Sequence, residues 1–262
     1  MAKTIGIVSL KGGVGKTSVA AALGFAMADL GKKVLLVDAN LSAPNLGLHL
    51  NVVDPEVTLH HVLTNKANPS QAVIELEKFD LLPASIFGSV RTNPLVLKDK
   101  LKYLKRKYDY IILDSSPSLN NETLATILAS DELFLVTTPD HPTLSTTIKA
   151  AKLAKQRGQE ISGLILNKVY GKKFELSLDA IEDTCGLPVL AVIPHDINVA
   201  KAVSKFKPFT EHKKRAVSSR EIQRLAEIIA GEKQTRKISK YLKIFPLRQD
   251  VNREIYYENV FG

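Results

Sequence analysis

The stretch that most restricts what this chain can fold into is residues 9–18, SLKGGVGKTS. It follows an apolar, β-rich run at 4–10 and opens a helix-period stretch at 16–30. Strand, glycine-rich turn and helix together are the setting of a phosphate-binding loop. Gly12, Gly13 and Gly15, with Val14 between them, let backbone N–H groups turn inward around phosphate oxygens. The helix N-terminus adds its positive dipole end. In such a loop Lys16 neutralises the β- and γ-phosphates, the Thr17 hydroxyl coordinates magnesium, and Ser18 donates to the α-phosphate. One lysine suffices for that task, so the second, Lys11 at the mouth of the loop, calls for a separate explanation.

The rest of the chain repeats the strand-then-helix rhythm. Apolar runs at 33–38, 79–83, 110–114, 132–137, 160–167 and 188–193 read as strands, several apolar almost throughout, as in a parallel sheet covered on both faces. Helix-period stretches lie at 94–107, 121–129, 142–157, 174–184 and 219–230, with Gly31 and Gly186 just past two helix ends. The pattern predicts an α/β fold, a doubly wound and mostly parallel sheet with helices on both faces. It forms one domain over 1–230, and 231–262 is a tail. Ligands in open parallel sheets bind at the carboxyl ends of strands. VLLVD ends its strand in Asp38 and YIILD ends its strand in Asp114. Both are candidates, with Thr17, to hold the water shell of Mg²⁺; the alternative for either is a turn or cap aspartate.

Composition excludes several other classes. The single cysteine, Cys185, leaves no intrachain disulfide and no all-cysteine metal or iron–sulfur site. The six histidines have no metal-ligand spacing. No apolar run reaches the ~20 residues of a membrane span, and the seven-residue run before Lys11 is too short for a signal peptide, so the expected location is cytoplasmic. The formal charge of +9 is concentrated after residue 200, where 15 Lys and Arg face 7 Asp and Glu. Such an end suits an anionic membrane or nucleic acid, or is simply a solvated surface.

KGGVGKTS resembles the deviant phosphate loop of the MinD/ParA class of P-loop ATPases, marked by a signature lysine near its start. The similarity extends through VLLVDANLSAPNLGLHL, FDLLPAS, the stretch 108–119 that begins YDYIILD, LFLVTTPD, LILNKV and LAVIPHD. It spans residues 1–230 and is greatest to the MinD branch, particularly archaeal members. The resemblance implies an ATP- and Mg²⁺-dependent homodimer that positions cell-division or other machinery. Lys11 would reach the partner's nucleotide; an intramolecular phosphate contact is the alternative. It further implies that the segment after Asp38 is the first switch and residues 114–119 the second, and that Asn167, Pro194 and Asp196 surround the adenine. Lys11, Lys16, Asp38, Asn40 and Asp114 are the implied catalytic set.

Position 40 departs from the pattern: many relatives have an aspartate there, and this chain has Asn40. An amide can orient a water but cannot accept its proton, so hydrolysis is expected to be weak or to depend on an activating protein partner. In the tail, RKISKYLKIF (236–245) sets Ile238, Tyr241, Leu242 and Phe245 at helical spacing among cations. It resembles the basic amphipathic helix by which MinD proteins bind membranes, which would make the protein peripheral on the inner face of the cell membrane. The closing residues, PLRQDVNREIYYENVFG, either cover that apolar face, dock on the domain or bind a partner. A lysine cluster at 98–107 leaves a ParA-like DNA-segregation role as the second reading, less favoured than a solvated face.

Overall fold

The computed structural model describes residues 1–87, 92–232 and 247–262. Strand β1 (Lys3–Val8) runs into the phosphate loop and α1 (Lys16–Asp29), and β2 (Val34–Asp38) follows. Short helices α2 (Leu46–His49) and α3 (Leu59–Leu63) precede β3 (Ile74–Glu75), β4 (Asp80–Leu82) and α4 (Leu97–Leu101). Then strands and helices alternate: β5 (Tyr110–Asp114), α5 (Asn121–Ala129), β6 (Glu132–Thr137), α6 (His141–Gln156), β7 (Ile161–Val169), α7 (Leu178–Cys185) and β8 (Val189–Pro194). Helices α8 (Ile197–Val203), α9 (Phe209–His212), α10 (Val217–Ile229) and α11 (Arg248–Phe261) complete the order.

The strands form one sheet in the order β3-β4-β2-β5-β1-β6-β7-β8. All neighbours are parallel except β3, which pairs antiparallel with β4. Strands buried on both faces explain the unbroken apolar runs: every residue of β2 is buried, as are Ile5, Ile7, Ile112, Leu113, Phe134 and Leu135. One core layer joins β1, β2 and β6 to α1 and α10 through Leu23, Met27, Leu36, Phe134, Ile222 and Leu225. On the other face Leu35, Val37 and Ile111 pack against Val62, Leu101 and Leu104. Parallel pairing brings the carboxyl ends of β1, β2, β5 and β6 to one rim, where the phosphate loop lies.

Three elements differ from the sequence expectation. The helix expected over 94–107 is a 3-10 turn at Pro94–Val96, then α4, then turns. The Lys105 carbonyl accepts from Ala2 N and so is tied to the start of β1 rather than to another helical turn. Helix α7 begins at Leu178, not 174, because Ser177 caps it and the Glu175 carboxylate accepts the N–H groups of Tyr170, Gly171 and Lys172, holding that stretch as a loop. Helix α10 begins at Val217, not 219. Its N-cap is Ala216, while Ser218 Oγ donates to Asp196 and Ser219 Oγ to the Phe209 carbonyl.

The closing residues dock on the domain, one of the three fates left open for them. Helix α11 lies along the outer edge of β8 and satisfies its backbone with side chains. Asn252 Nδ2 donates to the Val189 carbonyl at 2.8 Å and Arg253 Nη1 to the Leu190 carbonyl at 2.8 Å. Glu182 and Glu221 accept the N–H groups of Val189 and Val192. Arg253 is fully buried and pairs with Glu221 at 2.9 Å and with Asp250. Tyr256 enters the core and donates to Glu132 at 2.8 Å. A sheet edge is thereby closed, which removes a template for pairing with other chains. The 236–245 segment lies outside the described residues. Among the described residues, no helix is long and apolar enough to cross a membrane.

Candidate nucleotide-binding site

The phosphate loop joins β1 to α1, and its backbone is unusual where glycine stands. Gly13 has φ +78° and Gly15 φ +90°, a region that side chains oppose. A Cβ on Gly15 would also collide with Asn167 Nδ2, so that position is closed twice over. Two residues at the end of β7 hold the loop's carbonyls outward. Asn167 Nδ2 donates to the Val14 carbonyl at 2.7 Å and Lys168 Nζ to the Gly13 carbonyl at 2.6 Å. Lys168 itself has φ +58°. Loop carbonyls drawn outward leave the N–H groups of Gly12–Ser18 free to face phosphate oxygens.

The two lysines point to opposite sides of the loop. Lys16 is buried, and its Nζ pairs with Asp114 Oδ1 at 2.5 Å; Thr17 Oγ1 donates to the other oxygen of that carboxylate at 2.7 Å. Lys11 goes the other way, to the start of α6. Its Nζ lies 2.6 Å from Thr143 Oγ1 and 3.3 Å from Asp140 Oδ1, with the side chain 40% exposed. Burial opposes ionisation of Asp140, but hydrogen bonds from Thr138, Thr143 and Lys11 outweigh it and hold the carboxyl at about 2. Beside Lys11 is a cavity of about 310 Å³ bordered by Gly12, Gly13, Asp140, Lys168, Tyr170 and Phe174.

Asp38 and Asp114 are register partners on adjacent strands. Asp38 is fully buried and accepts the N–H groups of Asn40, Asn45 and Leu46 at 2.9–3.2 Å. Burial and then the Asp114 charge push its pKa up to about 7, against the hydrogen bonds and Lys16, which pull it down. Asp38 and Asp114 at adjacent strand ends, with the Thr17 hydroxyl on Asp114, are hard oxygen donors that fit Mg²⁺, whose charge would relieve the repulsion between the carboxylates.

Ser18 Oγ lies 3.5 Å from His49 Nε2, and His49 Nδ1 is 3.0 Å from the Asn45 carbonyl. Asn40 is buried; its Nδ2 donates to the Ala43 carbonyl and its Oδ1 has no hydrogen-bond partner. Pro194 ends β8 beside Val169. Asp196 caps α8 through Asn198 N and accepts from Ser218. His195, between them, stacks on Tyr170 with centroids 4.5 Å apart. Asn167, Pro194 and Asp196 thus come from adjoining strand ends on the β7–β8 side of the loop. Lys168, Asp140 and His49 join the site without having been expected there from sequence. Asp140 had a readable signal of another kind: unlike Asp38 and Asp114 it lies three residues past its strand, directly before a helix-period stretch, where an aspartate is a favoured N-cap.

Comparison with known proteins agrees with this geometry. The sequence family described as an AAA domain matches residues 2–160. The septum site-determining protein MinD of Thermotoga maritima is 32% identical over 243 residues, covering 88% of this chain and 89% of that protein. The cell division ATPase MinD of Pyrococcus furiosus has a TM-score of 0.83 at 35% identity, covering 88% of this chain and 99% of that one. MinD of Pyrococcus horikoshii, solved with Mg-ADP, also has a TM-score of 0.83, at 32% identity, covering 93% and 100%. The chain belongs to the MinD/ParA family of P-loop ATPases.

Proposed function

We propose that this protein is a MinD-type switch that dimerises face to face on binding ATP and Mg²⁺, hydrolyses ATP slowly or with a partner's help, and positions cellular machinery at a membrane. The observation that carries the reading is the divergence of the two lysines. Lys16 turns inward to Asp114, whereas Lys11 turns outward, held by a half-exposed contact to Asp140 and Thr143 beside an open cavity. A half-exposed contact of that kind is weak enough for the phosphates of a second molecule to displace. Two triphosphates brought together repel, and a lysine from each partner offsets the repulsion only when both nucleotides are present. That makes assembly sensitive to the γ-phosphate.

Within one protomer, Lys16 and the N–H groups of Gly12–Ser18 hold the phosphates. Thr17, Asp38 and Asp114 would hold the Mg²⁺, which would supply charge neutralisation at the nucleotide's phosphates. Asn167, Pro194 and Asp196 border the base. Asn167 Nδ2 is already committed to the Val14 carbonyl, so its Oδ1 remains to accept from the amino group of adenine. The test is the molar mass in solution with ADP, ATP and a nonhydrolysable analogue, for wild type and Lys11→Ala. The expected result is a dimer for wild type with ATP or the analogue and a monomer otherwise. A wild-type monomer at saturating ATP overturns the proposal.

Membrane attachment through 236–245 belongs to the same proposal, with the dimer doubling a weak anchor. Its test uses Leu242→Glu with Phe245→Glu rather than a truncation, because deleting the tail would also remove α11 from the β8 edge. ATP-dependent flotation with anionic liposomes, lost in that double variant, is the expected result. The DNA reading is weaker. Lys105 pairs with Asp131 and Lys102 with Asp99, while Lys100 bonds Asn65 and Lys107 bonds Ser70, so much of that basic face is already engaged.

A further inference from the structure

If the chain hydrolyses ATP, as proposed above, some group must orient the attacking water and accept its proton. The first switch has no carboxylate to offer: residues 39–45 read ANLSAPN. Asp38 is engaged by three backbone N–H groups, Asp114 by Lys16 and Thr17, and Asp140 by Lys11 and Thr143. Asn40 offers only an amide oxygen, buried and without a hydrogen-bond partner.

A carboxylate reaches this turn from another element. Glu122 is the second residue of α5, close behind the 114–119 loop. Asn120 fixes that first turn by accepting the N–H groups of Glu122 and Thr123. Glu122 Oε1 accepts from the Ser42 hydroxyl. Its Oε2 is buried and has no hydrogen-bond partner. A carboxyl oxygen sealed from water and left unbonded is costly unless something else engages it. Two orphan acceptors, the Asn40 amide oxygen and the Glu122 carboxylate oxygen, thus bear on one four-residue turn, 40–43, whose backbone position Asp38 sets.

We propose that Glu122 is the general base of this ATPase, taking over a task that Asn40 can only assist. Asn40 Oδ1 orients the water. As the water oxygen bonds to the γ-phosphorus, the bond from that phosphorus to the β–γ bridging oxygen breaks, leaving ADP and inorganic phosphate. The proton released by the water moves to the Glu122 carboxylate, which reaches solvent on its exposed Ser42 side, and leaves from there.

The test compares the full-length wild type, Glu122→Gln, Asn40→Asp and the double variant. Phosphate release is measured in single turnover, affinity with a fluorescent ATP analogue, and dimer lifetime by light scattering. Glu122→Gln is expected to slow release about 100-fold, the scale of a general base. Its ATP affinity stays within two-fold of wild type, and its ATP-bound dimer lasts as long as the dimer formed with a nonhydrolysable analogue. Asn40→Asp returns a carboxylate to the first switch and is expected to restore release in the double variant. Ser42→Ala removes only the hydroxyl contact and keeps release within about three-fold.

The proposal falls if Glu122→Gln hydrolyses within two-fold of wild type, if Asn40→Asp fails to rescue it, or if Ser42→Ala reproduces the whole loss. A wild type that binds ATP and dimerises but releases no more phosphate than Lys16→Ala overturns the base and leaves the switch intact. Absence of ATP binding overturns both.

Discussion

Asp140 is the residue whose charge decides where the signature lysine rests. Asparagine at that position keeps the cap, because its side-chain oxygen still accepts the Thr143 N–H, but it gives up the charge that attracts Lys11. Exposed ion pairs contribute ~0–1 kcal/mol and the proposed dimer releases two of them, so Asp140→Asn should let it form at protein concentrations up to about thirty-fold lower, measured by light scattering. Asp38 makes a second prediction. Its carboxyl releases a proton near 3.8 when unfolded and near 7 when folded. Between those values the folded chain holds the extra proton, so stability without Mg²⁺ and nucleotide falls as pH rises through that window. The slope is at most about 1.4 kcal/mol per pH unit. Urea midpoints from pH 4 to 7.5 should decline for wild type and flatten for Asp38→Asn; equal slopes in both would refute the assignment.

At the scale of elements, α11 joins two tasks: it fills the core with Tyr256 and pairs the free edge of β8. Arg253→Met removes the nearer of the two cations paired with buried Glu221 and leaves only Arg224 at 3.8 Å, a change of the kind that costs up to ~3–5 kcal/mol. Urea denaturation should record that loss, while ATP affinity, set at the opposite ends of the strands, stays unchanged. Deletion of 247–262 should go further and yield a chain that aggregates on heating, since it uncovers both the strand edge and the apolar face beneath. Intact solubility and an unshifted melting temperature in the deletion would contradict the role given to this helix. None of this was legible in the closing residues alone. Arg253 and Glu221 are 32 positions apart, and no local pattern announces that an arginine will be desolvated there.

For the whole molecule, the order of strands decides which side chains meet. β5 lies between β1 and β2, so Asp114 arrives beside both the phosphate loop and Asp38 although its partner Lys16 is 98 positions away in the chain. β7 and β8 sit farther along the same rim and bring Asn167 and Lys168 onto the loop's carbonyls. This arrangement predicts that Lys168→Met, which frees the Gly13 carbonyl, weakens ATP binding several-fold with little loss of stability, because its ammonium is exposed to solvent. Isothermal titration with ATP and Mg²⁺ checks it, and Lys168→Arg should recover part of the affinity.

By itself the sequence determined the fold class, the phosphate loop and the aspartates at two strand ends. Each of these rests on local chemistry: glycines at positive φ, apolar runs that need two covered faces, and a polar residue where a buried strand meets solvent. Only the tertiary structure decided that Lys11 rests on Asp140, that α11 closes the sheet, and that Glu122 faces the turn carrying Asn40. Those contacts join residues far apart in the chain, and their partners are selected by strand order and burial, which no short stretch of sequence contains.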